Sequence, residues 1–156
     1  MAPALIVGYG NPLRGDDGFG WHAAQHLAVS LREVDVDIIA CHQLTPELAE
    51  PVSRAALVIF IDAAQERRPD LLACERISPE PAIPGIFSHH LTPRLLLGWA
   101  QAFYERCPEA FVLSVTGAFF GYGERLSPLV QAALPVAVAK VQTLVAERGR
   151  RHFTPS

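Results

Sequence analysis

Cysteine is scarce and poorly placed for pairing. The three cysteines among 156 residues, Cys41, Cys74 and Cys107, are odd in number and form no C-x-x-C, which argues against a disulfide framework and a thiolate zinc site. Their even spacing has no repeating flanks, since the neighbours read Ala-Cys-His, Ala-Cys-Glu and Arg-Cys-Pro, so no internal repeat is inferred. No uninterrupted apolar run reaches the roughly 18 residues that suggest a membrane helix. The opening stretch Met1 to Gly8 lacks a basic n-region and a long apolar core, so it reads as a first strand, and a cytoplasmic protein is expected. Charge of one sign is missing as well. Thirteen Lys and Arg stand against 16 Asp and Glu, a formal net charge of −3, so no basic field gathers phosphates and nucleic acid is not an expected partner.

What is present is apolar and patterned. Half of the residues are hydrophobic, and a chain near this length can bury roughly 70% of its unfolded surface without staples. Short β-branched runs alternate with segments of helical period, which predicts βα units and a single twisted, mostly parallel five-stranded sheet with helices on both faces. The strand candidates are Ala4 to Gly8, Val36 to Cys41, Ala56 to Ile61, Leu71 to Ile77 and Phe111 to Ala118. The spacing of Trp21, Ala24, Leu27, Ala28 and Leu31 predicts an amphipathic helix over 18–32. Thr45-Pro46, Thr92-Pro93 and Ser127-Pro128 each place an N-cap before a proline at the first helical position, opening helices to about Ser53, to Tyr104 and over Leu129 to Ala146, the last kinked at Pro135. A single domain over 1–147 is expected, followed by a flexible basic tail over 148–156. Ser78 to His90 fits neither period and reads as a long loop, a type that often carries function.

The first βα turn runs Gly8-Tyr9-Gly10-Asn11-Pro12-Leu13-Arg14-Gly15-Asp16-Asp17-Gly18-Phe19-Gly20. It fails as a dinucleotide fingerprint because Leu13 stands where the third glycine must be. It fails as a phosphate loop because Asp16 and Asp17 replace the Lys and Ser/Thr, so an anion would meet two carboxylates. Such a turn suits a cation. Helix capping accounts for one acid, with Asp16 the better fit, but not for two. Asp62 ends the apolar run Ala56 to Ile61, at the rim where open parallel sheets bind ligands, although a capping role is equally compatible. His89 and His90 lie in the long loop. Two carboxylates and an imidazole from three chain positions make an oxygen/nitrogen site for Ni, Zn, Mn or Fe. His22 and His26 have zincin spacing, but Ala23 replaces the general-base Glu, so they read as helix-surface residues. No G-x-S-x-G elbow is present.

This constellation resembles the hydrogenase maturation endopeptidases, which trim the C-terminal extension from the large subunit of nickel-iron hydrogenases. The resemblance covers nearly the whole chain and rests on Gly8 to Gly20, Val58-Ile59-Phe60-Ile61-Asp62-Ala63, Ser88-His89 with Leu91, and Gly121 to Pro128. It implies metal contacts from Asp17, Asp62 and His89, with His90 leaving the histidine register open. It also implies an aspartyl-type endopeptidase with Asp17 and Asp62 at the chemistry; if a carboxylate acts as general base, Asp17 is the better candidate because it sits in the more flexible glycine turn. The partner would be the large-subunit precursor, and the nickel would be supplied by that substrate and used for recognition. A monomer is expected, without membrane association. Two segments depart from the family pattern: Cys41-His42-Gln43-Leu44-Thr45-Pro46 replaces a Gly-Gly turn, and Gly117-Ala118-Phe119-Phe120 replaces a Glu-Pro. The first is similar to the branch that serves bidirectional, NAD-linked hydrogenases. The competing class is a non-proteolytic chaperone binding nickel or the large subunit, and a nucleotide or small-molecule enzyme is disfavoured by the turn.

Overall fold

Five strands form one sheet: β1 Ala4–Tyr9, β2 Val36–Cys41, β3 Leu57–Ala64, β4 Leu72–Ile77 and β5 Glu109–Thr116. In the computed structural model, which describes residues 4–31, 35–66, 68–82 and 91–153, their order is β2-β1-β3-β5-β4. The first four in that order run parallel, and β4 joins β5 antiparallel at the edge. Helices α1 Phe19–Ser30, α2 Ala49–Arg54, α3 Pro93–Tyr104 and α4 Pro128–Phe153 cover both faces. This is the mostly parallel α/β architecture expected from the sequence.

The two-residue period of the strands sorts their side chains into two cores. Ile6, Leu57, Ile59, Ile61, Leu113 and Val115 pack with Phe19 and Leu27 of α1 and with Val130 and Ala137 of α4. Leu5, Val7, Val58, Phe60 and Ala110 pack on the other face with Val52 of α2 and with Leu96 and Leu97 of α3. Each fully buried Leu, Ile or Phe stabilises by about 1.5–3 kcal/mol. The same alternation carries past the cores to the strand ends. Tyr9 follows Val7, Asp62 follows Phe60, and Ser114 follows Val112, so all three belong to the α2–α3 face.

Several elements differ from the sequence expectation. Helix α1 buries Phe19, Gly20, Ala23, Ala24 and Leu27, whereas Ala28 is exposed. The buried face is rotated because the glycine-rich start of the helix presses on the sheet, a tertiary contact that apolar spacing does not record. His26 is exposed, but His22 is half-buried, edge-on to Trp21, and its Nε2 is buried without a hydrogen-bond partner among the described residues. Burial, and then the neighbouring His26, push the His22 pKa down. Helix α4 continues past the expected helix end at Ala146 to Phe153, and Arg148 lies 3.6 Å from Glu109 at the start of β5. Its stretch Pro128–Arg148 is long and apolar enough by length and composition to cross a membrane, with mean hydropathy 1.6. Its stripe Val130, Ala133, Leu134, Ala137, Val141 and Leu144 is buried against the sheet, as a core helix requires. Thr92 caps α3 as anticipated, its Oγ1 accepting from the Leu95 N–H at 3.2 Å.

The connections from β1 leave in one direction towards β2 and return to β3 on its other side, which makes the carboxyl ends of β1 and β3 the switch point of the sheet. Helix α1 starts directly beneath it. A Cβ on Gly20 would lie 2.1 Å from the Ile61 carbonyl oxygen and 2.7 Å from that of Tyr9. Both neighbours are backbone and cannot swing aside. Gly20→Ala should therefore destabilise by about 3 kcal/mol, the upper range for overpacking, measured as a lower urea midpoint with an unchanged slope; a wild-type midpoint would show that α1 is not seated this tightly.

Candidate active site at the switch point

The turn after β1 is organised by Asn11 and Gly10. The Asn11 side chain accepts from the Leu13 N–H at 2.9 Å, its carbonyl accepts from the Arg14 N–H at 3.0 Å, and its own N–H donates to Asp17 Oδ2 at 2.8 Å. Gly10 has φ 139°, and a Cβ there would sit 1.8 Å from the Asp17 carbonyl oxygen. Only glycine permits this approach. The Gly10 N–H donates to the Cys41 carbonyl at 3.0 Å, which ties the turn to the end of β2.

The two adjacent acids have different environments. Asp16 is fully buried. It does not cap α1, whose N-cap Gly18 receives no side-chain bond. Its carboxylate instead accepts from the N–H groups of Ala118 at 2.7 Å, Phe119 at 3.0 Å and Ser127 at 2.8 Å, and from the Ser127 hydroxyl. The backbone adds to this seam, with Asp16 N–H donating to Phe119 and Gly15 N–H to Gly123, both at 2.8 Å. Burial pushes the Asp16 carboxyl up, but the bonds from Ser127, Ala118 and Phe119 outweigh it and hold the group below the usual carboxylate range. Asp17 is half-buried and faces outward into a cleft.

That cleft, about 270 Å³ in volume, is bordered by Tyr9, Gly10, Asp17, His42, Gln43 and Asp62. Leu44, Ala63 and Leu91 complete its wall. Asp17 and Asp62, read separately from the sequence, thus share one opening. His89 and His90 lie outside the described residues. Asp62 accepts from the Tyr9 hydroxyl at its Oδ2, 2.5 Å away, and from the Ser114 hydroxyl at its Oδ1. Burial first, then the charge of Asp62 and the bond to it, with smaller effects from Cys41 and Asp17, push the Tyr9 pKa far above its ordinary value. The Tyr9 hydroxyl therefore keeps its proton and donates it in the hydrogen bond to Asp62. Asp62 and Ser114 also border a second cleft of about 300 Å³ beside Arg94 and Glu75. Among the described residues no group of three His, Cys, Asp or Glu side chains is placed to hold a metal ion. Two carboxylates at one opening supply hard oxygen donors.

Sequence reasoning quoted Tyr9 and His42 but gave neither a role, and it did not single out Ser114. Tyr9 and Ser114 carry no motif. Their signal is the register of β1, β3 and β5, which places Ser114 opposite Asp62 and Tyr9 one step beyond the Gly8–Ile61 pair. His42 sits in the segment that departs from the family pattern. Beside the cleft, the seam between the turn and the loop 117–127 exposes Leu13 by 52%, Phe119 by 45% and Tyr122 by 93%.

Asp17 and Asp62 share one cleft at the switch point of a doubly wound α/β sheet, the rim where open sheets of this class bind ligands. Solved structures the chain is similar to include hydrogenase maturation proteases. The chain is 21% identical to the hydrogenase maturating endopeptidase HybD from E. coli, with 94% of each chain covered and a TM-score of 0.70. It is 20% identical to the NiFe hydrogenase maturation protease HycI from Thermococcus kodakarensis, with 93% of each chain covered and a TM-score of 0.73. A hydrogenase 2 maturation peptidase from a Thaumarchaeota archaeon is 24% identical, with 92% of this chain and 98% of that one covered and a TM-score of 0.68. No family model and no curated protein sequence matches the chain. The chain has the fold of the hydrogenase maturation proteases over nearly its whole length.

The Asp16 seam has a measurable consequence. Asp16→Asn places amide hydrogens among three backbone donors and should destabilise by about 3 kcal/mol or more. The folded pKa of Asp16 is depressed, so its contribution is present above the unfolded carboxyl pKa of about 3.9 and is lost as pH falls through the folded value. Urea unfolding from pH 7 to pH 3 should show a shallower acid limb in the variant. Parallel acid limbs would assign the acid sensitivity to other groups.

Proposed function

We propose that the chain is an endopeptidase that removes the C-terminal extension of a nickel-iron hydrogenase large-subunit precursor, recognising the precursor by nickel already inserted in it. One observation carries the proposal: Asp17 and Asp62 line a single cleft at the switch point of a fold shared with hydrogenase maturation proteases. Asp17, Asp62 and His89 would offer open positions to an ion that the precursor's cysteines already hold, so a loaded precursor binds better than an empty one. Leu91, two residues after His89, lines the same cleft. Nickel is then part of the substrate and not a resident cofactor. The proposal places the protein in the cytoplasm as a monomer acting on a protein partner. A net charge of −3 gives no attraction to nucleic acid or to an anionic membrane.

The two carboxylates divide the chemistry. Among the described residues, Asp17 accepts one hydrogen bond, from Asn11 to Oδ2, which leaves Oδ1 open to the cleft. In this reading Asp17 takes a proton from the attacking water as its oxygen bonds to the scissile carbonyl carbon, then returns that proton to the leaving amine as the carbon–nitrogen bond breaks. Asp62 has both oxygens engaged by hydroxyl donors. Its place is that of an oriented ligand. His42 borders the cleft at the β2 side, within the segment that differs from the family pattern, and in this reading it would meet the precursor.

The test is the intact mass of the cognate precursor after incubation with this protein, nickel-loaded in one sample and nickel-free in the other. Loss of a C-terminal peptide from the loaded precursor alone is the expected result. No mass change in either, with loading verified, would overturn the peptidase reading in favour of a chaperone.

A further inference from the structure

Asp62 is held from two sides by residues of two different strands. Alternation puts Tyr9, Asp62 and Ser114 on one face of adjacent strands β1, β3 and β5, and the register sets them side by side at the carboxyl rim. The Tyr9 hydroxyl takes Oδ2 and the Ser114 hydroxyl takes Oδ1. A carboxylate has about four acceptor sites, so each oxygen keeps a lone pair beyond the hydroxyl it accepts from. Rotation about the carboxyl bond would break both bonds at once. The Tyr9 ring also packs against the α2–α3 core, a need that Phe would meet equally well, whereas the hydroxyl points to Asp62 alone among the bonds described. Asp17, by contrast, is held by one backbone N–H.

We propose that Tyr9 is the positioning residue of the site: with Ser114 it locks the Asp62 carboxylate in one orientation, so that Asp62 presents a fixed lone pair to the incoming substrate ion while Asp17 keeps the freedom a base needs. The inference rests on the peptidase reading for its consequence in catalysis, but not for its geometry. Outer partners of this kind commonly set ligand direction, and their loss costs about 10–100-fold in metal affinity or activity.

The experiment uses the full chain with Tyr9→Phe, which removes one oxygen and keeps the ring, and with Ser114→Ala as a second variant at the opposite carboxylate oxygen. Each is first shown to unfold cooperatively. Crystal structures of both should show Asp62 turned from its wild-type orientation. Cleavage of the nickel-loaded precursor should fall about 10–100-fold, while binding of the nickel-free precursor, which does not use Asp62, stays at the wild-type level. An unmoved Asp62 in both variants, or cleavage at the wild-type rate, overturns the proposal. So does an equal loss of binding to loaded and nickel-free precursor, the sign of a collapsed cleft. If the wild-type protein cleaves nothing, the peptidase reading fails, and the orientation of Asp62 in the two variants still decides the positioning role.

Discussion

The buried carboxylate of Asp16 is the constraint on which the site depends. A charged group without water costs several kcal/mol unless it is fully bonded. Asp16 meets that demand with donors from Ala118, Phe119 and Ser127, more than a hundred residues away in sequence. The result is a seam between the turn after β1 and the loop after β5. With Asp16 anchored below, the Gly10 and Asn11 contacts aim its neighbour Asp17 into the cleft. Two adjacent acids therefore hold opposite positions, one sealed and structural, the other open to the cleft.

The sheet supplies the other half. Parallel strands β1, β3 and β5 end together at one rim, and the rule that side chains alternate faces brings Tyr9, Asp62 and Ser114 into a row. No loop has to be threaded to bring Asp62 near Asp17. The close approach of Gly20 to the ends of β1 and β3 keeps α1, and with it the acidic turn, pressed against that row. Seating the carboxylates on strands and a bonded turn gives the site the rigidity that preorganised chemistry needs.

Much of the fold is legible in the sequence because its signals are local. Val36 to Cys41 coincides with β2, and Thr92-Pro93 announces the start of α3, since β-branched runs and caps act within a few residues. Asp17 and Asp62 are legible as candidates because acids at a glycine turn and at the end of an apolar strand are locally odd. The pairing of Tyr9 and Ser114 with Asp62 is not legible, because it needs the order β1-β3-β5, which no local pattern encodes. The role of Asp16 is hidden for the same reason: its partners lie at the far end of the chain, and by local rules it resembles a helix cap. The face of α1 is misjudged where a glycine contact, and not apolar spacing, decides what is buried.

The central claim is that Asp17 acts on the bond and not merely on docking. The most direct measurement compares wild type with Asp17→Asn against the nickel-loaded precursor, recording binding and cleavage in the same preparation. Retained binding with cleavage abolished is what the account predicts, because in the proposed reading Asp62 and His89 would still meet the ion while the base is gone. Loss of binding and cleavage together would contradict it and make Asp17 a recognition residue alone.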